Sequence, residues 1–307
     1  MSDTIRINAP LSVPKRSMRL SKQQLTGLAL IGPTVIFLLV SFVWPVVHTL
    51  MLSFTAEVVD GVTVEGWTFN NYLRLFSSDL YVRILLRTLR VAALASVASI
   101  IFSYPLAIAI ARGGANMARI VTIIVVAPLL VNVVVRSYGW SAILSKNGAL
   151  NYIIKALGLS SNPQQLLYTE WAVMIACVHV YLPFMVMPLA TAIGRIDRSV
   201  EEAARIAGAP RMATFLKVVF PLSLPGLSIG VTLVFSLTAA AYVMPQILGG
   251  NFSPLLGTLI EQQVVSLSDW PFGSAISGLL IVMVLTVNLG LLHILNKRFA
   301  RWTTGAR

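Results

Sequence analysis

Six charge-poor apolar runs divide the chain, at residues 27–50, 91–111, 120–145, 171–194, 222–247 and 271–296. A helix needs about 20 mostly apolar residues to cross a bilayer, and each run reaches or approaches that length. The third is short up to Val135 and continues past Arg136 to Ser145. The apolar stretch 218–260 is too long for one crossing. Its first part predicts a fifth span, and the remainder, LGGNFSPLLG, predicts a glycine- and proline-broken loop. None of the runs alternates with period two, so barrel strands are not predicted. In lipid each backbone polar group must be satisfied within its own segment, which makes the runs helices. The expectation is an all-α membrane protein with six transmembrane helices.

Composition agrees. The 307 residues are 57% hydrophobic and 11% charged, against about a quarter charged in soluble domains. The formal charge of +12 could suggest nucleic acid, but its placement argues for topology. If both termini face the cytoplasm, 16 of the 23 Lys and Arg lie on that side, in the two tails and the loops at 112–119 and 195–217, with 4 of the 11 acids. The whole excess then sits on one face, as the positive-inside rule requires, and no nucleic-acid partner is needed. The first run is longer than a signal-peptide core and no cleavage site follows it, so an uncleaved helix is expected. The domain reading is a cytoplasmic tail at 1–24, disordered by composition, one membrane domain at 25–297, and a cytoplasmic tail at 298–307.

The charged loop at 195–221 is the exception in this apolar chain. Ser199 followed three residues later by Glu202 forms a capping-box pattern, and Glu201 and Glu202 complement the helix dipole. Gly208 suits a left-handed helix stop and Pro210 the first turn of a second helix, leading through Met212 and Phe215 to Pro221. Val200, Ala203, Ala204 and Ala207 form one apolar stripe, bordered by Arg198, Glu201, Glu202 and Arg205. Such a helix fits a groove on a partner. It equally fits an amphipathic connector lying on its own bundle.

Glu202-Ala203-Ala204, three residues, Gly208, nine residues, then Val218-Val219-Phe220-Pro221 resembles the EAA motif of ABC-importer permeases. Val218 and Phe220 replace the family's isoleucine and leucine. The resemblance implies a six-helix type I permease in a bacterial inner membrane, with both termini cytoplasmic. It implies that Ser199, Glu201, Glu202, Ala203, Ala204, Arg205, Gly208, Pro210 and Pro221 couple the chain to a cytoplasmic ATPase. The implied partners are two such ATPase subunits, a second permease subunit that is a different chain, an external solute-binding protein and membrane lipid. ATP and Mg would be bound by the ATPase. This chain would hold no cofactor or metal and would not be an enzyme, and it carries no GxxxxGK[ST] loop.

Further stretches, Val135 to Trp140, VYLPFMVMPL at 180–189, Asp269 to Gly273 and Phe69 to Tyr72, resemble the spermidine/putrescine branch. That implies a polyamine substrate, with opine, aminophosphonate and ferric-iron permeases as alternatives, and an ion-driven secondary transporter as a distant one. A polycation path calls for aromatic faces and carboxylates. The candidates are Tyr138, Trp140, Tyr181, Tyr242, Asp269 and Trp270, each of which could instead be an interfacial belt residue. Arg136 is expected to snorkel to the outer interface. Asn132 and Asn288 are expected to bond between helices, His179 to bond a neighbour, and Cys177 to be a small buried hydrophobe.

Overall fold

A computed structural model describes residues 22–304 apart from 56–57, 60–61, 64–65 and 161, and omits the side chains of 22–29, 56–65, 295–296 and 298–304. The reading of 1–24 as a disordered tail falls almost wholly outside the described residues. The described chain divides into two units between His48 and Thr49. Helix α1 (Lys22–Leu52) carries Pro33 and Pro45 and contributes only its last turn to the second unit.

The second unit continues with a short hairpin, β1 (Val58–Val59) and β2 (Val62–Thr63), and helix α2 (Asn70–Ser77). This segment folds back on the end of α1 through buried Asn71, whose Nδ2 donates to the carbonyls of Ser53 and Thr55, each at 3.0 Å. Tyr72 completes the clamp through its hydroxyl, 2.9 Å from Ser53 Oγ, and through ring contact with Phe54.

Three long helices carry the centre: α3 (Asp79–Arg112), α7 (Glu170–Gly194) and α10 (Phe220–Ala239). Their apolar faces interlock around Met185, Leu189, Ile193, Val231 and Val234. Close approach is possible because α10 presents glycine. A Cβ at Gly226 would stand 2.5 Å from Ala192 Cβ and 2.6 Å from the Pro188 carbonyl oxygen. Helices in lipid associate through such small-residue contacts, since burial against lipid brings little hydrophobic gain. Asn288 Nδ2 donates to Ser236 Oγ at 2.8 Å, an interhelical bond of the kind expected for it. Cys177 is fully buried.

The third apolar run does not form one straight helix. It folds as α4 (Ala115–Val126), a 3-10 turn at Ala127–Leu130, then α5 (Val133–Leu144) and α6 (Ala149–Ala156). The two halves meet at 101°. Pro128 opens the turn, Val131 is extended, and Asn132 Oδ1 accepts from Val134 N at 2.8 Å. Asn132 is therefore the N-cap of α5 rather than an interhelical bridge. Arg136, expected to snorkel outwards, folds back to donate to the Val131 carbonyl at 2.8 Å.

The loop at 195–221 forms α8 (Arg198–Ile206) and α9 (Arg211–Thr214), which runs through a π-helical turn at Phe215–Val219 into α10. The fifth span ends at Ala239 rather than 247. Pro245 cannot supply the donor that the Ala241 carbonyl would need in a continuing helix. A π-helical turn (Pro245–Gly249), helix α11 (Leu256–Glu261) and a second π-helical turn (Gln262–Ser266) follow. Helix α12 (Trp270–Thr304) packs Phe272 and Ile276 against Ile84 and Leu259. It stays helical to Thr304, beyond the expected end of the sixth span. Among the described residues, five helices are long and apolar enough to cross a membrane, and the bent pair has the length and composition of a sixth span broken at its turn or of a re-entrant loop. Apart from the small hairpin and a bridge between Thr55 and Trp67, the regular secondary structure of the described residues is helical.

Candidate coupling surface and membrane cleft

Helix α8 is held at its start by Asp197, whose Oδ1 accepts from Ser199 N at 2.9 Å. This corrects the expected cap. Ser199 is the second helical residue, and Glu202 faces outwards instead of reaching back. Aspartate is among the strongest N-caps, and it sits one turn-length after α7 ends. The Ser199 hydrogen bonds, backbone first, and the nearby Arg112 charge hold the Asp197 carboxyl below its ordinary range. A depressed folded value means that the cap's contribution is complete above the unfolded value and is lost as pH falls through the folded one.

The helix ends as the sequence suggests. Gly208 has φ +86°, Gly208 N donates to the Arg205 carbonyl at 2.9 Å and Ala209 N to that of Ala204 at 3.0 Å. These two bonds are the Schellman pattern. Pro210 stands at the N-cap of α9, one position before the expected first turn, and Pro221 is in the first turn of α10.

One side chain anchors α8 to the bundle. Arg112, the last residue of α3, pairs with Glu201 at 2.6 Å, with side chains 17% and 14% exposed, and donates to the Ile196 carbonyl at 2.8 Å. Glu201 therefore faces inwards, and Ala204, one turn on, is half-buried beside it. The outward stripe is Val200, Ala203 and Ala207, widened by Ile206, which is 88% exposed. The expected stripe thus loses Ala204 and gains Ile206. Arg205 and Glu202 remain exposed at its edges. A cleft of about 550 Å³ lies beside α8, lined by Val200 of α8, Pro188 and Thr191 of α7 and Leu222 and Ile229 of α10.

The expected pathway residues do not form one site. Tyr138 and Trp270 are exposed on α5 and α12. Trp140 Nε1 donates to His179 Nδ1 at 3.3 Å, edge to face. Trp140 and Tyr181 both pack against the buried cluster around Ala176 and Leu248. Asp269 is paired with Arg74 at 3.0 Å, and its Oδ1 accepts from Phe272 N at 3.2 Å. The Arg74 guanidinium lies 4.1 Å from the Phe272 ring centroid, so Asp269 fastens α2 to the start of α12. Glu170 is engaged by both Arg87 and Arg90. Tyr242 lines a cleft of about 370 Å³ with Gly257, Glu261 and Leu280.

Against known proteins, residues 107–301 match the model of the family described as binding-protein-dependent transport system inner membrane component. The chain is 34% identical over 235 residues to the spermidine/putrescine transport system permease protein PotB of Escherichia coli K12, covering 76% of this chain and 83% of that one. To the protein of the same name from Haemophilus influenzae it is 32% identical over 254 residues, covering 80% and 88%. In structure it resembles a chain of a bacterial alginate ABC transporter in complex with an alginate-bound periplasmic protein, at a TM-score of 0.71, 18% identity and 89% and 94% coverage. The chain belongs to the binding-protein-dependent transport system inner membrane components, a family of ABC-importer permeases.

Proposed function

We propose that this chain is a permease subunit of an ATP-driven importer for spermidine and putrescine. The observation that carries the substrate class is the identity shared with the two spermidine/putrescine permeases over most of both chains. In this reading the α8 end of the bundle and both termini face the cytoplasm. The exposed stripe of α8 seats on one of two ATPase subunits, which bind ATP and Mg. A second, different permease chain completes the pathway, and a solute-binding protein delivers the amine from outside. Ser199, Glu201, Glu202, Ala203, Ala204, Arg205, Gly208, Pro210 and Pro221 form or support the coupling loop. The geometry of α8 supports this reading, because a helix capped at both ends, ion-paired on its inner side and bare on its outer side is built to receive a partner.

The assembled importer in proteoliposomes should take up labelled spermidine or putrescine only with ATP and the binding protein present. Unlabelled polyamines should compete, and an opine should not. Uptake of an opine, an aminophosphonate or ferric iron in place of polyamine would replace the substrate class while leaving the permease role standing.

A further inference from the structure

Glu261 is unlike the other acids at its end of the bundle. Glu170 is held by two arginines and Asp269 by one. Glu261 has no ion pair among the described residues, and accepts one long hydrogen bond, from Gln246 Nε2 at 3.5 Å. It lines the cleft of about 370 Å³ with Tyr242, Ala240 and Leu280. Leu280 lines it from α12. A partly buried carboxylate without a cation is costly unless it serves a ligand or a path.

The backbone around the cleft is arranged for a cation as well. Helix α10 stops at Ala239 and opens onto the cleft at Ala240, bringing the negative end of its dipole there. The broken end packs directly on α11, since a Cβ at Gly257 would collide with the Ala241 carbonyl and lie 3.0 Å from that of Ala240. The π-helical turn at Gln262–Ser266 lines the cleft through Val264 and Val265, and such turns recur at functional sites. This turn begins directly after Glu261 and sets the direction in which the chain leaves it. Tyr242, about half exposed, adds an aromatic wall.

We propose that this cleft is an amine subsite of the permease, in which Glu261 receives a primary ammonium group of the solute beside the Tyr242 ring and the carbonyl end of α10. A charge-assisted bond to carboxylate and a cation–π contact are the two strongest contacts a protein offers an alkylammonium. Glu261 is the one carboxylate among the lining residues, so the cleft holds one ammonium end while the rest of the polyamine lies along the path. The inference rests on the polyamine reading above.

The test uses the full importer and spermidine. Glu261→Gln removes the charge and keeps the shape, and should lower uptake about tenfold, the scale of one lost charge-assisted bond. Glu261→Asp keeps the charge and should retain most uptake. Tyr242→Phe should stay near wild type, and Tyr242→Leu should lose about threefold, as one exposed cation–π contact would predict. In the purified complex without binding protein, millimolar spermidine should raise the Tm of wild type and Glu261→Asp but not of Glu261→Gln. Unchanged uptake and an unchanged Tm shift in Glu261→Gln would overturn the subsite while leaving the polyamine reading intact. Equal loss in Glu261→Gln and Glu261→Asp would also overturn it, in favour of a structural carboxyl. Failure of the wild-type importer to take up spermidine would overturn the polyamine reading itself, and the subsite with it.

Discussion

Replacing Gly208 by valine should reduce ATP-driven uptake at least tenfold while leaving the amount of chain in the membrane unchanged. The cause is backbone geometry. Gly208 sits at φ +86° with open space where a Cβ would stand, so no neighbour objects to a side chain. The conformation does, at roughly 1–2 kcal/mol or more for a β-branched residue. Relief would break the two bonds that Gly208 and Ala209 make to Arg205 and Ala204, fray the last turn of α8 and swing Ile206 off the outward stripe. Asparagine tolerates the left-handed region, so Gly208→Asn should retain several times the uptake of Gly208→Val. Equal loss in both would mean that a partner's close approach, rather than the turn, requires glycine.

Separating Arg112 from Glu201 should have the second large effect. The pair is mostly buried and joins α3 to α8, so it lies between exposed ion pairs, worth under about 1 kcal/mol, and fully buried ones, where removing one partner costs about 3–5 kcal/mol. Arg112→Ala strands the Glu201 carboxylate and frees the Ile196 carbonyl, at a cost of about 2 kcal/mol, which is roughly thirtyfold in the balance between seated and detached α8. Limited proteolysis within 197–210 should accelerate accordingly and uptake should fall. Glu201→Gln should cost less, because the amide still accepts a hydrogen bond. The exchanged pair, Arg112→Glu with Glu201→Arg, should recover part of the loss. A proteolysis rate unmoved by Arg112→Ala would show that the pair does not hold the helix.

Much of this molecule is legible in its sequence. Long apolar runs locate the spans because a bilayer sets one length scale for all of them, and Gly208 is legible because few residues tolerate its conformation. The expectations that failed turn on competition between local signals. Ser199 and Asp197 are both good caps, and only the end of α7 at Gly194 decides that Asp197 comes first. Asn132 has a polar side chain in an apolar run, which reads as a bridge until the turn at Pro128 makes it a cap. The stop of α10 at Ala239 was visible in Pro245, yet other prolines of this chain, Pro105 and Pro183 among them, lie inside intact helices.

Side-chain partners were the least legible feature. Asp269 and Glu261 look alike in sequence, each beside aromatic or amide residues near the end of an apolar run. Arg74, 195 residues away, neutralises the first, and no cation in the described residues reaches the second. Glu201 and Glu202 are adjacent acids of one helix, and only the position of Arg112 turns one inwards. Contacts over such separations follow from how the helices pack, which no local pattern encodes.

The central claim is that the outward stripe of α8 meets an ATP-hydrolysing subunit. A photo-crosslinking amino acid placed singly at positions 203, 204 and 206 of the assembled importer tests it directly, with the adducts identified by mass spectrometry. The account predicts strong adducts to the ATPase subunit from 203 and 206 and little from 204, which faces the bundle. Adducts from 203 and 206 to lipid or to this chain alone, with none to the ATPase, would contradict it.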